Sequence, residues 1–473
     1  MASDQEGPPG TRRVVSTVLP APFTAPGITP TLESNWWTLA VAGPVALYLW
    51  LIAAFGVNVV FEDSWNSTLL MLRAFASGKL TLATLWAPHN GNRLLFPNLV
   101  FLATDIPSHY NAIVDLYLSA GLMVAALALL CWLVRRTAGV AGFWLLPIAV
   151  LLLSPVQIEN ILWDFQLAWC LTLLAFIATL CCIELWDSHP SLRVVAVVLA
   201  VVASFSSVQG LLVWPAGLLY AWSRNSSKRV LLGWAVLGIV VGGIYFWRLG
   251  PTEPASWSAY PYHHPLQALR FLLDAAGNYA PRLQALVGIV ALLGTAVTAW
   301  VVLVRPEWRM ALRLPATLLF IGAAFVVLIS IGRSALGVGE ALSSRYTTYT
   351  LLIPTGLYVA AVLGYRSLEH HSGHTATSGG RVWPKAILVV LVGAIALQFG
   401  WAIHHGLRTG RTSEVSRARA ATALLEYKEA SDSALQPLFA PGGAFVKEWA
   451  PILVKNHWSV FAGAAVPSQS KDR

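Results

Sequence analysis

The sequence predicts an all-α membrane protein, a polytopic bundle of transmembrane helices, and three observations support that fold class. First, 56% of the 473 residues are hydrophobic and only 11% are charged, whereas a soluble domain carries roughly 25% charge. Second, the mean hydropathy is +0.64. Third, apolar runs of the length that crosses a bilayer recur along the chain. This composition excludes a soluble enzyme, a disordered protein and a disulfide-rich scaffold, because the four cysteines lie inside apolar runs.

The apolar runs predict about eleven spans. The first 35 residues are polar and rich in Pro and Gly, without the apolar core of a cleavable signal peptide, so the first span is expected to act as a signal anchor. The predicted organisation is a disordered cytoplasmic tail (1–35), a transmembrane bundle (36–402) with a long first outer loop (58–109), and a small extracytoplasmic C-terminal appendage (403–473) with a helix at 414–431. The predicted spans are 36–57, 110–134, 141–156, 160–185, 191–206, 209–223, 229–248, 284–304, 315–332, 347–364 and 385–402.

The distribution of Lys and Arg predicts the orientation of the bundle. With the N-terminus in the cytoplasm, basic residues concentrate in the short inside segments, as the positive-inside rule requires. We therefore expect a bacterial plasma membrane protein with its C-terminus outside. The net charge of +9 then reflects topology and contact with anionic lipids, and it does not indicate nucleic acid as a partner.

The first polar cluster follows the first span and contains the adjacent carboxylates Glu62 and Asp63. Two neighbouring carboxylates repel each other, which raises the pKa of one and suits it to act as a general base. The pair also suits a divalent cation such as Mg²⁺ or Mn²⁺, which oxygen ligands bind. A third interpretation is an acidic start to the first helix of the loop.

The second cluster lies in the same loop and comprises His89, Asn90, Asn92 and Arg93. A histidine, two amides and an arginine within five residues are suited to hold a phosphate at the membrane interface. The alternative is an ordinary turn in which Gly91 takes a positive φ.

The third cluster lies between the third and fourth predicted spans. At helical spacing, Asn160 and Asp164 share one face, and an acid one turn inside a span needs a partner or a wet cavity. The alternative is that Asp164 pairs with Arg93 or Arg345 only to hold helices together. The candidate substrate-binding residues of this cluster are Gln157, Glu159, Asn160, Asp164 and Gln166.

The last cluster surrounds Glu340 near the outer end of the tenth span and contains Arg333, Arg345 and Tyr346. Two arginines, which stay charged, predict an anion site. The alternative is a salt bridge to Glu340, which fits Arg333 better than Arg345.

The arrangement of these clusters resembles the GT-C superfamily, whose members are multi-pass glycosyltransferases that use polyprenyl-phosphate-linked sugars. The resemblance rests on the pair Glu62 and Asp63 after the first span, at the start of a long outer loop. The segments 89–93, 157–166 and 344–346 also resemble patterns in bacterial multi-pass proteins grouped near these enzymes. The sequence contains no P-loop, nucleophile elbow or zincin motif.

The resemblance implies a glycosyltransferase that moves a sugar from a polyprenyl-phosphate donor to a glycan, lipid or protein acceptor at the outer face. The acidic motif of the superfamily corresponds here to Glu62 and Asp63 only. For such an enzyme we expect Asp63 to be the base, Glu62 its helper or a metal ligand, and Arg93 with Arg345 to hold the donor phosphate. Glu159 and Asp164 would supply the second acidic group.

Two other functions stay open. A transporter or lipid flippase predicts ionisable residues near the middle of the spans and inverted repeats, whereas the charges here cluster at the span ends. A non-catalytic membrane subunit of an envelope assembly needs no convergent polar pocket.

Overall fold

A computed structural model describes residues 36–250, 254–371 and 382–463. These residues form an all-α bundle, and one small hairpin is the only β-structure among them. The predicted N-terminal tail, 1–35, lies outside the described residues, as does the end of the C-terminal segment after residue 463.

The α-helices and strands are numbered in chain order. They are α1 (Trp36–Phe55), α2 (Thr68–Ala76), α3 (Leu82–Trp86), β1 (Pro88–His89), β2 (Asn92–Arg93), α4 (Leu95–Ser108), α5 (Ala112–Ala138), α6 (Leu146–Leu152), α7 (Ile158–Leu162), α8 (Leu167–Leu185), α9 (Leu192–Ser204), α10 (Val213–Ser223), α11 (Lys228–Phe246), α12 (Ala255–His263), α13 (Pro265–Ala276), α14 (Gln284–Val304), α15 (Pro306–Arg309), α16 (Arg313–Arg333), α17 (Thr347–Thr350), α18 (Leu352–His371), α19 (Val382–Leu425), α20 (Asp432–Leu435) and α21 (Gly443–Asn456).

In the described part of the chain, eight helical segments are long and apolar enough to cross a membrane, so the protein is a multi-pass membrane protein. Each of the eleven predicted spans contains helix, but α1 and α9 are shorter apolar helices by the same measure, and α10, with 11 residues, belongs to neither group. The count of eleven spans therefore stays a prediction. The eight segments are Ala112–Ala138, Gly142–Leu162, Asp164–Leu185, Lys228–Phe246, Gln284–Val304, Arg313–Leu336, Ser344–Ser367 and Lys385–Leu425.

Local capping explains where the long helix α5 begins and ends. The side chain of Asn111 accepts the backbone N–H of Ile113 at 3.1 Å, which satisfies a free donor of the first turn. At the other end the chain turns at Gly139 with φ +64°, a conformation that glycine adopts without steric cost. These caps place the polar segment before Asn111 at one end of the bundle.

The long loop after α1 and the C-terminal segment share a second hydrophobic core. Trp65, Leu69 and Phe101 from the loop pack in one cluster with Leu424 and Leu453 from the C-terminal segment. The two segments therefore lie at the same end of the bundle, which we call the loop end. This placement agrees with an even number of crossings between them.

Helix α19 differs from the predicted boundary at residues 402 and 403. It runs for 44 residues without interruption from Val382 to Leu425, so the predicted helix at 414–431 is its continuation as far as Leu425 and does not extend to residue 431. No proline lies between residues 385 and 425 to stop it, and Gly400, Gly406 and Gly410 stay within the helix. The C-terminal segment is thus attached to the bundle through a continuous helix.

Charged side chains pair at the opposite end of the bundle, which we call the arginine end. Glu184 of α8 is buried and accepts hydrogen bonds from Arg313 at 2.9 and 3.0 Å. It also contacts Arg224 at 2.6 Å and accepts the hydroxyl of Tyr220 at 2.8 Å. These contacts connect the ends of α8, α10 and α16 through one buried carboxylate.

Candidate functional site at the loop end

A 3-10 turn, Glu62–Ser64, follows α1 and presents three polar side chains in different directions. Glu62 has a positive φ of 47°, and its Oε2 accepts the backbone N–H of Ala440 in the C-terminal segment at 3.2 Å. Asp63 faces the β-hairpin. Ser64 is buried and donates to both carboxylate oxygens of Asp164, each at 3.2 Å. The turn is thus the junction of the loop, the bundle and the C-terminal segment.

Burial raises the pKa of Glu62 above its ordinary value, and the negative charge of Asp63 adds to the increase. The N–H of Ala440 and the positive charges of Arg345 and Arg417 oppose it. The expectation that one of the two carboxylates has a raised pKa thus applies to Glu62. The interaction with both arginines also places them in the surroundings of Glu62.

The second predicted cluster forms an antiparallel hairpin in which Pro88 is paired with Arg93 and His89 with Asn92. Asn90 and Gly91 form its turn with φ of 46° and 77°. An Asn-Gly turn with two positive φ angles matches the twist of a two-stranded ribbon. The turn interpretation is therefore confirmed, and the turn also carries polar groups to the carboxylates.

The tip of the hairpin contacts Asp63. Asn90 donates from Nδ2 to Asp63 Oδ1 at 3.2 Å, and His89 Nε2 lies 3.4 Å from the same oxygen. The His89 ring meets Phe165 edge to face at 5.3 Å. Asp63 keeps 28% of its side chain exposed, so its carboxylate is both oriented and accessible from outside the protein.

Asp164 is buried. Its hydrogen-bond partners do not include Arg93 or Arg345, the two arginines predicted as alternatives. The hydroxyl of Tyr110 donates to Asp164 Oδ2 at 2.8 Å, beside the bonds from Ser64. The prediction that Asn160 and Asp164 share one helical face is wrong. Trp163 between them is extended, with φ −120° and ψ 109°, which ends α7 and turns Asp164 toward Ser64.

A second buried acidic pair, Asp105 and Asp115, lies behind Asp164 and was not predicted. Thr104 donates to Asp115 at 2.7 Å. Burial raises the pKa of Asp105 strongly, and the nearby charges of Asp115 and Asp164 add to it. The signal in the sequence was an acid one turn inside the span that begins near residue 110, which is costly in a bilayer.

The segment 157–160 contacts the segment 343–348 through a network of hydrogen bonds. Glu159 Oε2 accepts the hydroxyl of Ser343 at 3.0 Å and the backbone N–H of Arg345 at 2.9 Å. Asn160 donates to the carbonyl of Arg345 at 2.8 Å and to Thr348 Oγ1 at 2.7 Å. Thr348 donates in turn to Gln157 at 2.6 Å. This network holds Arg345 in place.

Gln166 is also buried, with its side-chain oxygen unpaired among the described residues.

Arg345 forms a salt bridge with Glu340, as the alternative interpretation of this cluster allowed. Glu340 also accepts the hydroxyl of Tyr346 at 2.8 Å. The short helical turns 338–342 and 344–346 bring these three side chains together. Arg333 lies over the ring of Trp257 at 5.8 Å.

Arg417 of α19 is a functional candidate that the sequence interpretation missed. It is 7% exposed, donates to the carbonyl of Leu162, and its guanidinium lies 3.7 Å from the ring centroid of Phe61. Its charge acts on Asp164, Glu159 and Glu62. The sequence signal for a buried Arg417 was its position on the helix. Ala420 and Leu424, which are buried, follow Arg417 at helical spacing and share its face.

Asn92 and Arg93 bond to residues outside this group. Asn92 accepts the hydroxyl of Ser207 at 3.1 Å and the N–H of Val208 at 2.9 Å. Arg93 donates to the carbonyls of Tyr245, Trp86 and Trp247. Arg93 and Arg345 therefore have separate partners, and the contacts do not support the prediction that they hold one phosphate together.

The donor set does not fit a bound divalent cation. Glu62 and Asp63 direct their oxygens to different partners, and the described ranges contain no group of three His, Cys, Asp or Glu side chains able to hold a metal ion. A Mg²⁺ or Mn²⁺ site normally needs more oxygen ligands than this pair offers. The site we call the carboxylate site thus consists of Glu62, Asp63, His89, Asn90, Glu159, Asp164, Arg345 and Arg417.

Comparisons with known proteins leave the family undetermined. No protein-family model matches this chain, and no curated protein or solved structure matches it either. The resemblance to the GT-C superfamily accordingly stays a prediction from the sequence.

Proposed function

We propose that the protein is a glycosyltransferase of a bacterial plasma membrane that moves a sugar from a polyprenyl-phosphate donor to an envelope acceptor. The observation that carries this proposal is the convergence of four carboxylates and two arginines at the loop end. Glu62 interacts with Asp63, Arg345 and Arg417, while Glu159 and Asp164 interact with Arg417. Sequence clusters more than 300 residues apart thus belong to one site.

The proposed chemistry needs a base and a cation near the donor phosphate. The acceptor hydroxyl oxygen bonds to the anomeric carbon, the bond from that carbon to the phosphate oxygen breaks, and the polyprenyl phosphate leaves with the electron pair. Asp63, held by Asn90 and beside His89, takes the proton of the acceptor hydroxyl. Arg345, whose side chain is one-third exposed at 33%, stabilises the charge that develops on the phosphate.

The other acidic residues support this arrangement. Glu159 and Asp164 balance the charge of Arg417, and Glu159 fixes the backbone of Arg345. Glu62 ties the 3-10 turn to the C-terminal segment through Ala440. In this proposal Glu62 positions Asp63, and no step requires a metal ion.

The proposed orientation places the loop end outside the cell. The arginine end carries Arg136, Arg224, Arg309 and Arg313 near the ends of the helices, as expected for a cytoplasmic side. A donor with a lipid tail would then enter the carboxylate site from the outer leaflet, where no nucleotide sugar is needed.

A deletion strain tests the proposed function. Its envelope glycolipid profile should lack a glycosylated species that returns with the wild-type gene and with Glu307→Gln, a change in an exposed acid at the arginine end. Asp63→Asn should insert into the membrane at the normal level without restoring the species. A normal profile with Asp63→Asn would contradict the role of Asp63 as the base. An unchanged profile in the deletion strain would favour a transporter of another cargo or a non-catalytic subunit.

A further inference from the structure

A cavity separate from the carboxylate site lies at the loop end, on the membrane-facing side of the bundle. Its volume is about 620 Å³, and its lining includes Trp86, Arg93, Ile244, Trp247 and Arg248. Helix α11 contributes one wall. Only 17% of its apolar stretch is buried inside the protein. Its exposed side chains include Ile239, Val240, Ile244 and Phe246, and Trp247, which follows the helix, is also exposed. The cavity therefore opens where an apolar helix surface ends.

The β-hairpin separates this cavity from the carboxylate site. Pro88 and Arg93 are paired in register and both line the cavity. His89 and Asn92 form the neighbouring pair, and His89 contacts Asp63. Because successive residues of a strand point to opposite faces, the cavity and Asp63 lie on opposite faces of the hairpin. A molecule in the cavity would thus be outside the reacting centre.

Two arginines supply positive charge to the cavity. Arg93 is 1% exposed and has three hydrogen bonds to backbone carbonyls. A guanidinium has five N–H donors, so Arg93 retains two without a partner in the described chain. Arg248, exposed and held at φ +51°, makes no ion pair with a described residue. No carboxylate lines this cavity, which favours an anion.

The walls indicate the kind of anion. Trp86 stacks over the Arg93 guanidinium at 4.8 Å, and Trp247 is 67% exposed beside lipid-facing Ile244. Tryptophan at the end of a membrane helix lies at the level of the lipid head groups. Arginines at the same level attract anionic head groups.

We infer that this cavity binds the phosphate head group of an anionic phospholipid between Arg93 and Arg248, with the acyl chains along α11. The site is independent of the proposed sugar transfer. A bound lipid would brace the hairpin from the face opposite His89, since Arg93 already links that hairpin to Tyr245 and Trp247.

Native mass spectrometry of the purified protein in detergent tests this inference. Phosphatidylglycerol should be retained in preference to phosphatidylcholine, and Arg248→Gln should weaken its binding about tenfold, the effect of losing one charge-assisted contact. Ala83→Trp, which fills the cavity from its exposed wall without removing an arginine, should also reduce retention.

The matched control is Arg282→Gln, which changes an exposed arginine outside the cavity and should leave retention unchanged. Equal retention of both lipids, or equal retention by the wild type, Arg248→Gln and Ala83→Trp, would overturn the inference. Displacement of phosphatidylglycerol by added inorganic phosphate would show an anion site without a role for the acyl chains and would overturn the lipid assignment.

Discussion

Glu62 and Asp63 are neighbours in the sequence with different surroundings. Asp63 is held by Asn90 beside His89 and stays partly exposed, whereas Glu62 accepts the backbone N–H of Ala440 and has a raised pKa. The sequence predicted a carboxylate pair at this point because two acids follow the first span. It could not assign their roles, because the difference arises from a contact with a residue 378 positions away.

Glu62 predicts a pH dependence of stability. Its pKa is raised in the folded protein, so the folded state keeps a proton that the unfolded state loses above about pH 4.3. Stability from this group is complete below that pH and falls as the pH rises through the folded pKa. Glu62→Gln should flatten this decline in the unfolding temperature measured in detergent between about pH 4 and about pH 8. An identical slope in the variant would contradict the raised pKa.

Arg417 predicts a loss of both stability and activity when its charge is removed. Arg417→Met leaves the carbonyl of Leu162 without its donor, at a cost of about 1–3 kcal/mol, and leaves Glu62, Glu159 and Asp164 without a common cation. The unfolding temperature should fall, and the amount of the glycosylated species in the glycolipid profile should decrease.

The matched control for Arg417 is Arg419→Met, an exposed arginine two residues along the same helix. That change should alter neither measurement. Equal effects of the two substitutions would mean that Arg417 has no special place in the carboxylate site.

At the scale of elements, the hairpin β1–β2 connects three parts of the loop end. Its tip contacts Asp63, Asn92 bonds to Ser207 and Val208, and Arg93 bonds to α11. The sequence predicted both a turn and a polar cluster here, and both descriptions hold. Asn92 and Arg93 have different hydrogen-bond partners because of the way the two strands pair. The spacing of polar residues in the sequence did not reveal that pairing.

Substitution of the turn glycine tests the hairpin. Gly91 has φ +77°, so Gly91→Ala should destabilise the turn by about 1 kcal/mol and displace Asn90 from Asp63. Transfer activity should fall more than the unfolding temperature.

Gly43→Ala is the control for Gly91, since Gly43 lies in α1 with open space around it. That change should leave activity intact. If Gly91→Ala keeps full activity, the hairpin does not orient Asp63.

The break at Trp163 shows where helical spacing fails as a guide. A continuous helix would place Asn160 and Asp164 on one face, yet the extended Trp163 sends them to Thr348 and Ser64 respectively. Nothing local in the sequence forces this break, since residues 158–167 contain neither Pro nor Gly. At this break the ring of Trp163 packs against the rings of Phe61 and Phe165.

For the whole molecule, the all-α membrane fold could be predicted from the sequence because apolar length and low charge determine it. Each of the eight long apolar segments overlaps a predicted span, although the last one, Lys385–Leu425, runs well beyond the predicted end at residue 402. The close packing of the first loop against the C-terminal segment could not be predicted, since its contacts join Trp65 and Phe101 to Leu424 and Leu453 across the chain.

The shared core makes a topological prediction. Because the first loop and the C-terminal segment lie at the same end, both should be on one side of the membrane, and the basic arginine end predicts that this side is outside. Alkaline phosphatase fused after residue 463 should be active, and green fluorescent protein fused there should stay dark. The reverse pattern would place the carboxylate site in the cytoplasm.

Turnover of the donor by the purified protein in lipid nanodiscs tests the central claim most directly. Given radiolabelled polyprenyl-phosphate sugars extracted from the host membrane together with envelope acceptors, the wild type and Glu307→Gln should release polyprenyl phosphate at equal rates. Asp63→Asn should be slower by about 100-fold or more, the contribution of a positioned general base. Equal rates for Asp63→Asn and the wild type, or no release by the wild type from any donor, would contradict the account.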